Sequence, residues 1–109
     1  MSRFSGTTMI IIGAARGIGA ATALLAAAEG ARLLLTDVLG DELRALRASI
    51  AANGGTVRAM VVDAASEAGA EAMVADCVAA HGRLDVAVNN ASIMQPDVAT
   101  VTEASLEMW

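Results

Sequence analysis

Four short apolar runs, TMIII (8–12), RLLLT (32–36), TVRAMVV (56–62) and LDVAV (84–88), recur at even intervals, with helical patterns filling the gaps. Runs of this length, without polar alternation, read as strands buried on both faces. Between Gly17 and Glu29, small residues with Leu24, Leu25 and Ala28 suit a helix pressed closely on a sheet. Leu43, Leu46 and Ile50 form an i, i+3, i+7 stripe, and a third helix from about 66 to 81 carries Met73, Val74, Cys77 and Val78. Each helical pattern stops at glycine just before the next strand, in AEGAR, ANGGT and AHGRL. Glycine fills the left-handed position past a helix end without steric cost. Strict alternation of strand and helix predicts parallel strands joined by right-handed crossovers, hence an open, doubly wound α/β sheet.

Composition narrows the class further. A chain of 109 residues fits one domain. Although 56% of residues are hydrophobic and the mean hydropathy is +0.58, the apolar runs are broken at Gly13, Arg16, Glu29 and Arg32. None approaches the roughly 18 residues of a membrane span. The early MIII run is shorter than the roughly 7–15 apolar residues of a secretory signal core, and a glycine-rich turn follows it. A strand is therefore expected there and the cytoplasm as the compartment. The net charge of −5, with seven scattered arginines as the only cations, argues against nucleic acid as a partner. The one cysteine, Cys77, falls on an apolar helical face and reads as a core thiol. His81, in the last turn of its helix, is explained by the helix dipole, and the six scattered methionines by gap-filling. No residue group reads as a metal site.

The stretch IIIGAARGIGAA (10–21) joins the first strand to the first helix. Backbone N–H groups and the positive end of a helix dipole converge on such a turn, making it an anion site. Gly13 and Gly17 allow a tight turn and close approach of a pyrophosphate, while Gly19 lets the helix pack on its strand. Asp37 ends the second strand 24 residues after Gly13. At that point a dinucleotide-binding fold places an acid against the ribose hydroxyls. An acid there also repels a 2′-phosphate, which favours NAD over NADP. Arg16 pulls the other way, since a guanidinium beside the same ribose would receive that phosphate. Asp63 ends the third strand at the same rim of the sheet; alone it would read as a helix cap or turn residue, and in this company it reads as a neighbour of the adenine.

The fourth run continues as LDVAVNNASI, and here the sequence resembles the short-chain dehydrogenase/reductase family of Rossmann-fold oxidoreductases. Residues 13–19, GAARGIG, match the family's T-G-x-x-x-G-x-G turn in glycine spacing, and NNAS (89–92) matches its N-N-A-G in three of four places. The resemblance spans essentially the whole chain. It implies a strand order of 3-2-1-4, with three full helices and the start of a fourth near Thr102 or Glu103. Residues 1–109 would then form a single NAD(P)-binding domain, incomplete at its C-terminal end and part of a longer enzyme. The resemblance further implies that Gly13, Ala15, Arg16, Gly17 and Ile18 wrap the pyrophosphate, with Gly19 closing the turn. Asp37 would hold the adenosine ribose, and Asp63 with the Ala64 backbone the adenine. Asn89, Ala91 and Ser92 would border the cofactor ribose, and Asn90 would tie the fourth strand to its neighbours.

Two residues depart from the pattern: Ile12 stands for threonine and Ser92 for glycine. A larger departure is that the chain holds no tyrosine and no lysine. The family's Tyr-x-x-x-Lys proton-transfer pair is therefore missing, and no catalytic residue is expected within these 109. Full-length relatives would act on an alcohol or carbonyl substrate, commonly as homo-oligomers. Taken alone, the chain is expected to be marginal or aggregation-prone, because the fourth strand would be an apolar edge. Two other readings compete: a non-catalytic dinucleotide-binding module, and a methyltransferase that binds S-adenosylmethionine, whose glycines are usually spaced G-x-G-x-G and which has no need of NNAS.

Overall fold

The computed structural model describes residues 3–90. Its elements alternate without exception: β1 (Thr8–Ile12), α1 (Gly17–Ala28), β2 (Arg32–Asp37), α2 (Gly40–Ala52), β3 (Thr56–Val61), α3 (Glu67–His81) and β4 (Val86–Asn89). The strands form one parallel sheet in the order β3-β2-β1-β4, with Ile10 level with Leu34 on one side and Ala87 on the other. This is the doubly wound Rossmann arrangement expected from the sequence. The expected start of a fourth helix, like Pro96 and Trp109, lies outside the described residues.

Side chains alternate across the pleat, so each central strand feeds two cores. Met9, Ile11, Leu33 and Leu35 pack with Ala23 and Ala26 of α1 and Leu43 and Ile50 of α2. Ile10 and Leu34 point the other way and pack against Met73 and Cys77 of α3. Cys77 is thus a core thiol, and burial pushes its pKa up. Gly30, Gly54 and Gly82 all have positive φ just after α1, α2 and α3, as the punctuation predicted. Among the described residues, no helix is long and apolar enough to cross a membrane.

Three expectations need correction. Only β1 and β2 are buried on both faces; β3 and β4 alternate or lie open, because they are the sheet edges among the described strands. On α1 the sheet-facing residues are Gly19, Ala23 and Ala26, whereas Leu24, Leu25 and Ala28 are exposed. This helix is apolar on every side, so periodicity did not determine its inner face; small residues, which allow close approach, take it. On α3 the inner pair is Met73 and Cys77, and Val74 and Val78 face outward.

β4 is held at its base by Asp85, whose Oδ2 accepts from the Thr8 N–H at 2.8 Å while its own N–H donates to the Thr8 carbonyl. Arg83 grips the same carboxylate at 2.6 Å. Together, first Arg83 and then the Thr8 N–H hold the Asp85 carboxyl below its usual range.

Candidate cofactor-binding site

At the carboxyl ends of the parallel strands, the turn after β1 is fastened to β2. The N–H groups of Gly13 and Ala14 both donate to the Thr36 carbonyl, at 2.9 and 3.1 Å. The next N–H, of Ala15, donates to Asp37 Oδ2 at 3.0 Å. Three successive donors of the glycine turn are therefore engaged with the end of β2. A ligand in the turn meets the donors that come after them, at the start of α1.

There the backbone is left open. Arg16, the N-cap of α1, makes no side-chain cap, and the first turn carries no acidic residue. A helix leaves its first N–H groups without intrahelical partners, and here those belong to Gly17, Ile18 and Gly19. Gly17 has φ +58°, and a Cβ built on it would meet nothing within 4 Å. Ile18 beside it is 76% exposed. Uncapped donors, a positive helix end and open space beside Gly17 are the features a pyrophosphate requires.

Gly19 has the opposite environment. Its missing Cβ would lie 2.0 Å from the Gly13 carbonyl oxygen and 2.9 Å from Asn90 Nδ2. The helix therefore rests directly on the turn that follows the strand, closer to the glycine loop than the expected strand contact. Asn90 completes the contact: its N–H donates to the Ile12 carbonyl at 2.9 Å, and its Nδ2 to the Gly13 carbonyl at 3.3 Å. The asparagine after β4 thus pins the glycine turn, which accounts for one of the paired asparagines in structural terms. Asn89 ends β4 opposite Ile12. Ile12, in place of the family's threonine, packs against the core that α3 covers. Ala91 and Ser92 lie outside the described residues.

Asp37 sits half-buried at the end of β2, and its Oδ1 accepts from the Leu39 N–H at 3.1 Å. Both carboxylate oxygens thus have one backbone donor, and each keeps a lone pair for a hydroxyl. Val38 and Val61 stand exposed beside it at the ends of β2 and β3. They would give a flat base an apolar surface, and the sequence reading missed them. Asp63 is spent in part on α3. Its Oδ1 accepts from Ala65 N–H at 2.9 Å, and its carbonyl accepts from Ser66. Asp63 is therefore a turn residue through Oδ1, while Ser66 is the residue that caps α3. Ala64 is half-buried against the α3-side core.

The Arg16 side chain is engaged with α2. Its guanidinium forms a bidentate pair with Glu42 of α2, Nε to Oε2 at 2.5 Å and Nη2 to Oε1 at 2.7 Å. The hydrogen bond and charge of Glu42 raise the Arg16 pKa, and Asp37 adds to this. Arg16 in turn holds the Glu42 carboxyl below its usual range. Glu42 was not singled out in the sequence, where it is one acid in a helical first turn 26 residues away. Among the described residues, no group of three or more His, Cys, Asp or Glu side chains is placed to hold a metal ion.

Comparison with known proteins agrees with this geometry. Residues 7–109 match the short chain dehydrogenase family. A 2,5-dichloro-2,5-cyclohexadiene-1,4-diol dehydrogenase of Sphingobium indicum is 43% identical over the whole chain, which covers 42% of that protein. A D-threitol dehydrogenase of Mycolicibacterium smegmatis is 38% identical over 98% of the chain and 40% of its own length. A metagenomic short-chain oxidoreductase solved in complex with NADP superposes with a TM-score of 0.77 at 37% identity, covering 85% of this chain and 46% of that one. The chain spans less than half the length of the curated relatives it matches. These matches leave the methyltransferase reading without support. A parallel 3-2-1-4 sheet, an uncapped glycine turn at its carboxyl rim, and relatives of this identity together place the chain in the short-chain dehydrogenase/reductase family, as its N-terminal, cofactor-binding portion.

Proposed function

We propose that the chain forms the dinucleotide-binding half of an NAD-dependent short-chain dehydrogenase/reductase. The observation that carries this is the pairing of an uncapped α1 N-terminus over an open Gly17 with the half-buried Asp37 carboxylate at the next strand end. The N–H groups at Gly17, Ile18 and Gly19 would receive the pyrophosphate. Asp37 would accept hydrogen bonds from the adenosine ribose hydroxyls, Val38 and Val61 would flank the adenine, and the free Oδ2 of Asp63 would border it. Asn89, Ala91 and Ser92 would line the approach to the nicotinamide ribose, with Asn90 holding the turn in place.

The bound dinucleotide supplies hydride chemistry, exchanged with an alcohol or carbonyl carbon of the substrate. The residues present bind and orient it; none of them is assigned the proton transfer, since the 109 residues include no tyrosine or lysine. By themselves they would be catalytically inactive, with cytoplasmic, homo-oligomeric full-length relatives acting on small-molecule alcohols. NAD is favoured over NADP because the Asp37 carboxylate suits a 2′-hydroxyl and repels a phosphate carrying about −1.5 to −2 charge. Titration with NADH and NADPH, followed by calorimetry or nicotinamide fluorescence, tests the reading. Saturable NADH binding that is weakened at least about tenfold by Asp37→Ala is the expected result. Absence of saturable binding of either dinucleotide would overturn it.

A further inference from the structure

We propose that Glu42 is a cofactor-selectivity residue, which acts by engaging the Arg16 guanidinium that a 2′-phosphate would need. The proposal rests on the dinucleotide reading of the site and adds a residue that the glycine turn and Asp37 do not include. Arg16 is the N-cap of α1 and adjoins Ala15, whose N–H is bonded to Asp37 Oδ2. Its side chain thus starts at the edge of the ribose site. Its guanidinium is already engaged, because Glu42 in the first turn of α2 takes both Nε and Nη2. Arg44, a second cation on the same turn of α2, is also engaged: it pairs with Asp41 at 3.3 Å and folds over Gly40.

The two cofactors meet this arrangement differently. A 2′-hydroxyl needs only Asp37, and the Arg16–Glu42 pair stays intact. A 2′-phosphate needs a cation, and the one at hand must first leave a bidentate, charge-assisted pair. Doing so leaves the Glu42 carboxylate unpaired. The penalty falls on NADP alone, and selectivity follows from that difference in cost between the two cofactors. In NAD the pair has no such cost and closes the gap between α1 and α2 next to the ribose.

The experiment is a double-mutant cycle in the full chain, reading the ratio of NADP to NAD dissociation constants by titration calorimetry. Glu42→Gln should lower that ratio about tenfold, the scale of one charge-assisted hydrogen bond. In an Arg16→Gln background the same substitution should change it by no more than about twofold, because no guanidinium is left to release. An unchanged ratio in Glu42→Gln, or an equal tenfold shift in the Arg16→Gln background, would overturn the role of Glu42 while leaving the dinucleotide site standing. Loss of saturable binding of both cofactors by the unsubstituted chain would instead overturn the site and this role together.

Discussion

The N-termini of α1 and α3 open on the same rim of the sheet and share one packing device. Each has glycine as its third residue, six positions after the carbonyl it rests on. A Cβ on Gly19 would lie 2.0 Å from the Gly13 oxygen, and one on Gly69 would lie 2.2 Å from the Asp63 oxygen. Their backbone donors meet opposite fates. In α3, Ser66 caps the helix by accepting from the Gly69 N–H at 2.9 Å, and Asp63 closes the turn through the Ala65 N–H. In α1, Arg16 supplies no cap and the space beside Gly17 is open. Close packing of helix on strand is thus a property of the fold, used twice. The proposed anion site lies where the cap is withheld.

The largest effect should come from the shared device. Gly19→Ala and Gly69→Ala each set a methyl against backbone that has no room to move, and each should cost about 3 kcal/mol in urea unfolding. A much milder Gly69→Ala would break the equivalence of the two helices. Next is Gly17→Ala, where a left-handed φ should cost about 1 kcal/mol and the methyl should raise the NADH dissociation constant at least about tenfold. At the matching first position of α3, Glu67→Ala should leave that constant within about twofold, since the capped α3 terminus receives no cofactor; an equal loss would show that the two termini do not differ as proposed.

Smaller again is Ser66→Ala, which should remove about 1 kcal/mol through loss of the cap, with NADH affinity retained. The smallest effect concerns the strand mounting beneath α1. The depressed Asp85 carboxyl, paired with Arg83 and the Thr8 N–H, contributes stability that is present above the unfolded carboxylate pKa of about 3.9 and lost as pH falls through the lower folded value. The stability difference between the unsubstituted chain and Asp85→Asn should therefore be steady near neutrality and shrink below about pH 4. A difference that grows on acidification would contradict this pairing.

Much of the site was legible in the sequence because it depends on local chain geometry. Gly13, Gly17 and Gly19 are spaced by what one turn and one helical start require, and Asp37 is placed by the length of one helix and one strand. The packing of Gly69 was equally local, yet it lay hidden beside residues that read as an ordinary helical start. α1 was misread at Leu24, Leu25 and Ala28 because a helix apolar on all sides carries no directional signal. Asp63 was given a ligand role, while the structure shows its Oδ1 also closing the turn before α3.

By itself, the sequence determined the alternation of elements, the parallel sheet, the glycine turn and the acid opposite it, since each follows from residues within a few positions of one another or from a fixed period. Only the tertiary structure decided which turn donors are already spent on Thr36 and Asp37, that Asn90 pins Gly13, and that Glu42 takes Arg16. Those pairings join residues 22 to 77 positions apart. They exist because parallel strands carry successive loops to one rim, where the three-dimensional arrangement, and no local pattern, chooses the partners.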